Sequence, residues 1–283
     1  MSRFGLIAGN GRFPLLFVEA ARAQGLDLVA VAHHGETLET LNDLVSEVSW
    51  VRVGELGKII DIFKTAGVTQ AVMAGGIHKS GALSHIQPDA RGLAFISRLP
   101  SLKDDVILRG IAQELEGEGI RVVESTRLLP DLVPQPGVFT QIAPDERQWQ
   151  DIRLGVEVAK EIGRWDIGQS VVVKRGTVFA VEGLEGTNAA IRRGGKLAGA
   201  GLVIVKVSKP HQDLRFDVPT VGPETIQEMR AVEARVLAIE AEKTLMVDKP
   251  AVVRQADAAG LCVVAVSVTK TETGFRVSQG ERE

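Results

Sequence analysis

Between residues 4 and 123, short apolar runs alternate with amphipathic stretches, and few folds accept that pattern. Phe4–Ala8 reads as a buried strand, Gly9-Asn10-Gly11 as a turn, and a helix runs from about Pro14 to Gln24. Leu28–Val31 is a second strand. In Glu55–Ala66, the side chains of Leu56, Ile59, Ile60 and Phe63 fall on one helical face. Ala71–Ala74 forms another short strand, ending at Gly75-Gly76. Lys103–Glu118 is a helix that presents Val106, Leu108, Ile111 and Leu115 to a core, and Val122–Val123 follows as a strand. Parallel strands need a crossover, and a helix supplies it. The repeated strand–helix units therefore predict α/β architecture with a Rossmann-like parallel sheet.

Pro130, Pro134, Pro136 and Gly137 then crowd into eight residues, a density of breakers that marks a linker. Beyond it, Pro144 at a first helical position opens a helix carrying Trp149, Ile152, Val156, Ala159 and Ile162, stopped by Gly163. Val171–Val173 and Val178–Val181 flank Lys174-Arg175-Gly176 as a hairpin. Thr187 is placed to cap a short helix through Arg193. Leu202–Val207 is a strand, Pro223 starts a helix, Asp248 caps another that ends at Gly260, and Leu261–Val268 closes the sheet. The expected organisation is a Rossmann-like N-terminal domain over 1–132 and a linker over 133–143. A second, mixed α/β domain with the catalytic residues follows over 144–270, then a frayed polar tail over 271–283.

Composition excludes several classes of function. With 45% apolar and 24% charged residues, the 283-residue chain has the balance of a soluble globular protein. No apolar run approaches the roughly 18 residues of a membrane span, and the start MSRFGLIAGNG lacks an export signal core, so a cytoplasmic location is expected. A net charge of −3 leaves no basic footprint for nucleic acid, and 4% aromatic content without tyrosine argues against base stacking. Cys262, the single cysteine, lies in the apolar run LCVVAVSV and reads as core. His33, His34, His85 and His211 show no zinc spacing, and neither G-x-S-x-G nor a Walker motif occurs.

The segment KVSKPHQDLRFDVPTVG, residues 206–222, carries the densest chemistry. It sets Asp213 and Asp217 among Lys206, Lys209 and Arg215, with Pro219, Thr220 and Gly222 shaping the backbone after them. Cations neutralise phosphate oxygens while a carboxylate serves as hard metal ligand or base, so the mixture suits a diphosphate and a metal ion. The alternative is a charged loop with a local Arg215–Asp217 salt bridge. Gly9, Asn10 and Gly11 sit where a first strand meets a first helix, a place for phosphate or nucleoside. Pro14 replaces the third glycine of G-x-G-x-x-G and no acidic residue closes the second strand, which weakens a dehydrogenase reading. Gly76 and Lys79, in Gly75-Gly76-Ile77-His78-Lys79, follow the third strand and would face the same crevice. Asp104 and Asp105 open a helix, where they favour its dipole; one of them turned inward would be a metal ligand. Glu185, Gly186 and Thr187 precede a helix bearing Arg192 and Arg193, read as an anion site or as ordinary capping.

LIAGNGRFP, PDARGL, KDDVILRG, EIGRWDIGQSVVV, AVEGLEGTNAAIRR and KPHQDLRFDVPTVG, taken in this order, resemble the LpxI-type UDP-2,3-diacylglucosamine pyrophosphatases from about Phe4 to Val266. The resemblance implies two domains and hydrolysis of a doubly acylated UDP-glucosamine to UMP and lipid X in lipid A biosynthesis. It also implies Mg²⁺ as cofactor and a homodimer. The family's essential aspartate, in its R-x-D-x-P-T-x-G block, falls on Asp217, with Arg215, Pro219, Thr220 and Gly222 matching around it. The glycine-turn block falls on Gly9, Asn10 and Gly11, and the acidic-glycine-threonine block on Glu185, Gly186 and Thr187. Ser80 departs from the proline common in the family after His78-Lys79.

On this reading Asp217 binds Mg²⁺ or orients water, while Lys206, Lys209 and Arg215 neutralise the diphosphate. A substrate with two acyl chains stays in the bilayer, so peripheral association with the cytoplasmic face of the inner membrane is expected. Leu93-Ala94-Phe95-Ile96 and Leu128-Leu129 are then groove candidates, or ordinary core. The rival readings are a nicotinamide- or flavin-dependent oxidoreductase and a non-enzymatic carrier of uridine nucleotide or acyl-sugar.

Overall fold

A computed structural model describes residues 3–77, 87–215 and 218–279. Two compact units emerge. One comprises residues 1–130 with 213–217, the other residues 131–212 with 218–283. The chain thus leaves the second unit after Gln212 and returns to it at Val218.

In the first unit, β1 (Arg3–Ala8), β2 (Leu28–His33), β3 (Glu47–Val51), β4 (Val68–Ala74) and β5 (Arg121–Val122) form a sheet in the order β3-β2-β1-β4-β5. Every pairing in it is parallel. Helices α1 (Phe13–Ala23), α2 (Leu56–Thr65), α3 (Ala90–Arg98) and α4 (Asp104–Gly117) supply the crossovers. All six residues of β2 are buried, as a central parallel strand covered on both faces requires. The strand order reverses between β1 and β4, so the loops after these two strands flank the switch point of the sheet. Two elements were not expected. EVSWV of β3 is an edge strand whose residues are mostly exposed or half-buried, so it lacks an apolar run. Helix α3 is capped by Asp89, which accepts from Gly92 N at 2.7 Å.

In the second unit the sheet runs β14-β13-β11-β9-β7-β8. It comprises β7 (Ser170–Lys174), β8 (Thr177–Val181), β9 (Val203–Lys206), β11 (Val236–Glu240), β13 (Cys262–Lys270) and β14 (Phe275–Ser278). Strands β9, β11 and β13 are parallel; β7 runs antiparallel to β9 and β8, and β14 antiparallel to β13. Successive residues alternate between two cores. Leu202, Ile204, Leu237, Ile239, Val263 and Ala265 face α6 (Thr187–Ala198), α7 (Pro223–Ala231) and α8 (Lys249–Ala258). Val203, Val205, Val236, Ala238, Cys262 and Val264 face α5 (Glu146–Arg164). Both faces are apolar, so the strands read as continuous apolar runs. Cys262 is core, with its thiol pushed up to about 11 by burial.

Several boundaries differ from expectation. Helix α5 begins at Glu146, because Asp145 and Gln148 form a reciprocal capping box and leave Pro144 outside; it runs one residue past Gly163. Helix α6 extends to Ala198, and its cap position is Gly186 rather than Thr187. Asp248 holds the cap position of α8 in a left-handed conformation without a side-chain capping bond. The linker span 133–143 contains β6 (Gly137–Val138), which pairs with β13, and Phe139 packs on the core beneath. The span 271–283, expected to fray, contains β14, tied to α5 where Phe275 N donates to Glu157 Oε1 at 2.7 Å. Of the groove candidates, Phe95 is core and Ile96 packs against it, whereas Leu93 is exposed.

Candidate functional site

In the first unit, the switch point is built from backbone. Gly9 N donates to Ala74 O at 2.8 Å and Asn10 N to Gly76 O at 2.7 Å, so the two glycine loops close on each other. A Cβ on Gly9 would lie 2.3 Å from Gly76 O, and one on Gly75 would lie 2.4 Å from Asn10 O. Contacts that short exclude any side chain. Gly11, at φ +77°, faces open space and is a glycine for its backbone angle alone. Asn10 completes the junction, accepting from Gly76 N at 3.3 Å and donating to Glu36 at 3.2 Å. Behind it, His33 Nδ1 and Thr37 Oγ1 meet Ala8 O at 2.9 and 2.6 Å. Burial pushes His33 below the usual histidine range and keeps it neutral. Gly9, Asn10, Gly11 and Gly76 are thus brought together, while Lys79 lies outside the described residues.

The second unit gathers charge at the carboxyl ends of β8, β9 and β11. Ser170 and Ile239 lie in register with Lys206 on either side of it. Lys206 Nζ donates to Thr187 Oγ1 at 3.1 Å and Thr220 O at 2.8 Å, with the residue only 8% exposed. Thr187 Oγ1 in turn donates to Glu182 Oε1 at 2.9 Å, so this threonine joins a buried lysine to a buried glutamate. Pro219 O accepts from Leu245 N at 2.7 Å, which fixes β10 (Thr220–Val221) beside β12 (Leu245–Met246). Lys209 Nζ contacts Asp166 Oδ1 at 2.5 Å, and Lys209 N donates to Gln212 Oε1 at 2.8 Å. Lys206, Thr187 and Thr220 therefore converge, and Lys209 follows three residues on.

Other expected residues are engaged elsewhere. Arg215 grips Asp213 with Nε at 3.0 Å and Nη2 at 2.8 Å, and reaches Glu116 at 3.1 Å. The hydrogen bonds from Arg215 hold Asp213 below the usual carboxylate range, and those to Asp213 raise Arg215. Carboxylates thus already offset the charge expected to meet a diphosphate. Glu185 binds Arg193 at 2.5 Å, and that hydrogen bond depresses its pKa. Arg192 pairs with Glu228, and Asn188 donates to Glu224 at 2.8 Å. The arginines beside Gly186 thus sit in ion pairs, and Thr187 caps nothing: its hydroxyl goes to Glu182 and Lys206 instead. Asp105 pairs with Arg109 in the first turn of α4, and Asp104 stands beside it at the helix start. Among the described residues, no group of three or more His, Cys, Asp or Glu is placed to hold a metal ion. Asp217, the expected metal ligand, lies outside the described residues.

Two buried residues escaped the sequence reading. Lys160 and Glu240 form an ion pair at 2.6 Å, 3% and 1% exposed, beneath Ser208. Burial pushes Lys160 below the usual lysine range. Burial also works to raise Glu240, but the attraction of Lys160 and Lys243 outweighs it and the carboxyl falls below its ordinary range. The available signal was periodicity: Lys160 falls within the apolar arc Ile152, Val156, Ala159, Gly163 of α5.

Comparison with known proteins covers both halves. The model of the LpxI N-terminal domain matches residues 3–132, and that of the LpxI C-terminal domain residues 135–264. A Caulobacter vibrioides protein, the UDP-2,3-diacylglucosamine pyrophosphatase LpxI, is 34% identical over 282 residues, covering 94% of this chain and 98% of that protein. Among solved structures, a biotin carboxylase domain of a thermophilic 2-oxoglutarate carboxylase is 17% identical at TM-score 0.27, covering 61% of this chain and 35% of that one. The biotin carboxylase domain of the Hydrogenobacter thermophilus 2-oxoglutarate carboxylase is 13% identical at TM-score 0.28, covering 100% of this chain and 65% of that one. Overlaps that small carry no argument about this fold or its chemistry.

Proposed function

The chain belongs to the LpxI family, and from that premise we propose that it hydrolyses UDP-2,3-diacylglucosamine to UMP and 2,3-diacylglucosamine 1-phosphate in lipid A biosynthesis. The observation that carries this reading is 34% identity running through 94% of the chain and 98% of a protein named for that activity. Water attack on a diphosphate needs little covalent help; positioning and charge neutralisation set its rate. Lys206 is the first cation of the reading, held at the carboxyl end of β9 where Thr187 Oγ1 and Thr220 O accept from its Nζ. Lys209 is the second cation of the reading, released from Asp166 as phosphate oxygens arrive. Arg215 acts more weakly, its charge shared with Asp213 and Glu116.

Asp217 is assigned the essential carboxylate on the family block alone. Asp217→Asn is expected to lower UMP release from UDP-2,3-diacylglucosamine in mixed micelles by at least about 10²-fold while substrate still binds. Near-normal turnover removes Asp217 from the reaction. Magnesium is proposed on the same resemblance, and no step is routed through it. EDTA in that assay should stop turnover and added Mg²⁺ restore it; undiminished release in EDTA removes the metal. No helix among the described residues is long and apolar enough to cross a membrane. Cytoplasmic residence with peripheral attachment to the inner membrane is proposed from the two acyl chains, and a homodimer from the family. Activity wholly in the soluble fraction at low salt, or a monomeric mass by light scattering, would remove these.

A further inference from the structure

The Lys160–Glu240 pair stands outside the reaction as read above, yet it holds the entrance to the segment that carries Lys209. Glu240 Oε2 accepts from Lys160 Nζ at 2.6 Å, from Ser208 N at 2.9 Å and from Ser208 Oγ at 2.8 Å. Lys160 Nζ also donates to Ser208 O at 2.9 Å and Ser208 Oγ at 3.3 Å. Every polar atom of Ser208 is therefore engaged by one ion pair, itself almost fully buried.

Stability alone is a poor reason for that arrangement. Taking two charges out of water costs several kcal/mol per ion, and well-packed apolar residues often fill the same space with equal or better stability. What such residues lack is direction: hydrogen bonds to N, O and Oγ define one placement of Ser208, whereas apolar contact tolerates several. The neighbouring geometry continues the constraint. Val207 N donates to Gln169 O at 3.0 Å, and a Cβ on Gly163 would lie 3.2 Å from Lys209 Cα, so α5 leaves room only for this path.

We propose that Lys160 and Glu240 are positioning residues that clamp Ser208 and thereby fix Lys209 and the chain through Gln212 in one geometry. The functional half of this inference rests on the pyrophosphatase reading; the clamp itself does not. A misplacement of about 1 Å by a distant change can lower a rate by about 10²-fold.

The test uses the full chain carrying Lys160→Met together with Glu240→Leu, which removes both buried charges and, with them, the partners of Ser208; Lys243, the other partner of Glu240, is half-exposed and turns to water. The melting temperature should fall, because Ser208 N, O and Oγ lose their partners, while the chain stays folded at about 25 °C. Amide exchange over residues 207–212 should quicken by at least about tenfold while the sheets keep their protection. The kcat for UMP release should fall by about 30- to 100-fold, with KM changed less than about threefold. Ser208→Ala, which loses only the hydroxyl, should show the same pattern at about three- to fivefold. Parental exchange and kcat in the folded double variant would overturn the proposal, as would a rise in KM with kcat intact. If the double variant does not fold, unaltered exchange at 209–212 in Ser208→Ala overturns it instead. A parent that releases no UMP removes the pyrophosphatase reading, and the exchange measurement still decides the clamp.

Discussion

At the carboxyl edge of the first sheet, polar contacts are made mainly by backbone. Gly9 N and Asn10 N donate to Ala74 O and Gly76 O, and His33 behind them is pushed below its usual range by burial. At the carboxyl edge of the second sheet the contacts are made by charged side chains taken out of water: Lys206 with Thr187 and Glu182, Lys160 with Glu240. A glycine edge recognises shape and approach, and any added atom damages it. A charged edge supplies potential to a polyanion, and is damaged when one partner is lost.

The comparison breaks most severely at Glu240. Glu240→Ala leaves Lys160 buried and uncompensated, and should cost about 3–5 kcal/mol in denaturant unfolding. A loss under about 1 kcal/mol would show that the second edge tolerates a lone charge as the first tolerates none. On the glycine side, Gly9→Ala forces a methyl against a carbonyl oxygen with no flexible group to yield, and should cost about 3 kcal/mol. Gly11→Ala meets no atom within 4 Å and pays only for its positive φ, so about 1 kcal/mol is expected. Equal losses at the two positions would mean that conformation, rather than close approach, explains both glycines.

The two edges were not equally legible in the sequence. The glycine edge announced itself, because strand–glycine–helix order places Gly9 and Gly76 at strand ends before any contact is known. Lys206 was visible as the one charge in the apolar run Leu202–Val207. Glu240 was not, because the stretch MRAVEARVLAIEAEK is rich in helix formers and lacks glycine or proline at its turn. The turn before β11 is made instead by Glu233 in a left-handed conformation, φ 52°, a state that sequence composition does not signal for glutamate. With β11 hidden, nothing singled out the glutamate at its end. The partners of Arg215 were hidden for a related reason: Asp213 and Glu116 are 2 and 99 residues away, and a pairing across 99 residues leaves no mark in the sequence.

The smallest expected effect separates the edges by pH. His33 has a folded pKa below its ordinary value of about 6.5, so the unfolded chain binds the proton first. Its contribution is fully present above 6.5 and declines as pH falls from there toward the depressed folded value. Glu240 also has a depressed folded pKa, but its ordinary value is near 4.3; its contribution is present above that and lost only as pH falls through the folded value. The first unit should therefore loosen before the second as a solution is acidified. Groups facing His33 include His34, which lowers its pKa further, and Glu36, which raises it without reversing the shift. Amide exchange followed unit by unit between pH 7 and pH 4 reads this order directly. His33→Gln should erase the early onset in β1 and β2 while leaving the second sheet's acid response in place. Simultaneous loosening of both sheets, unaffected by that variant, would show that His33 does not set the first unit's response.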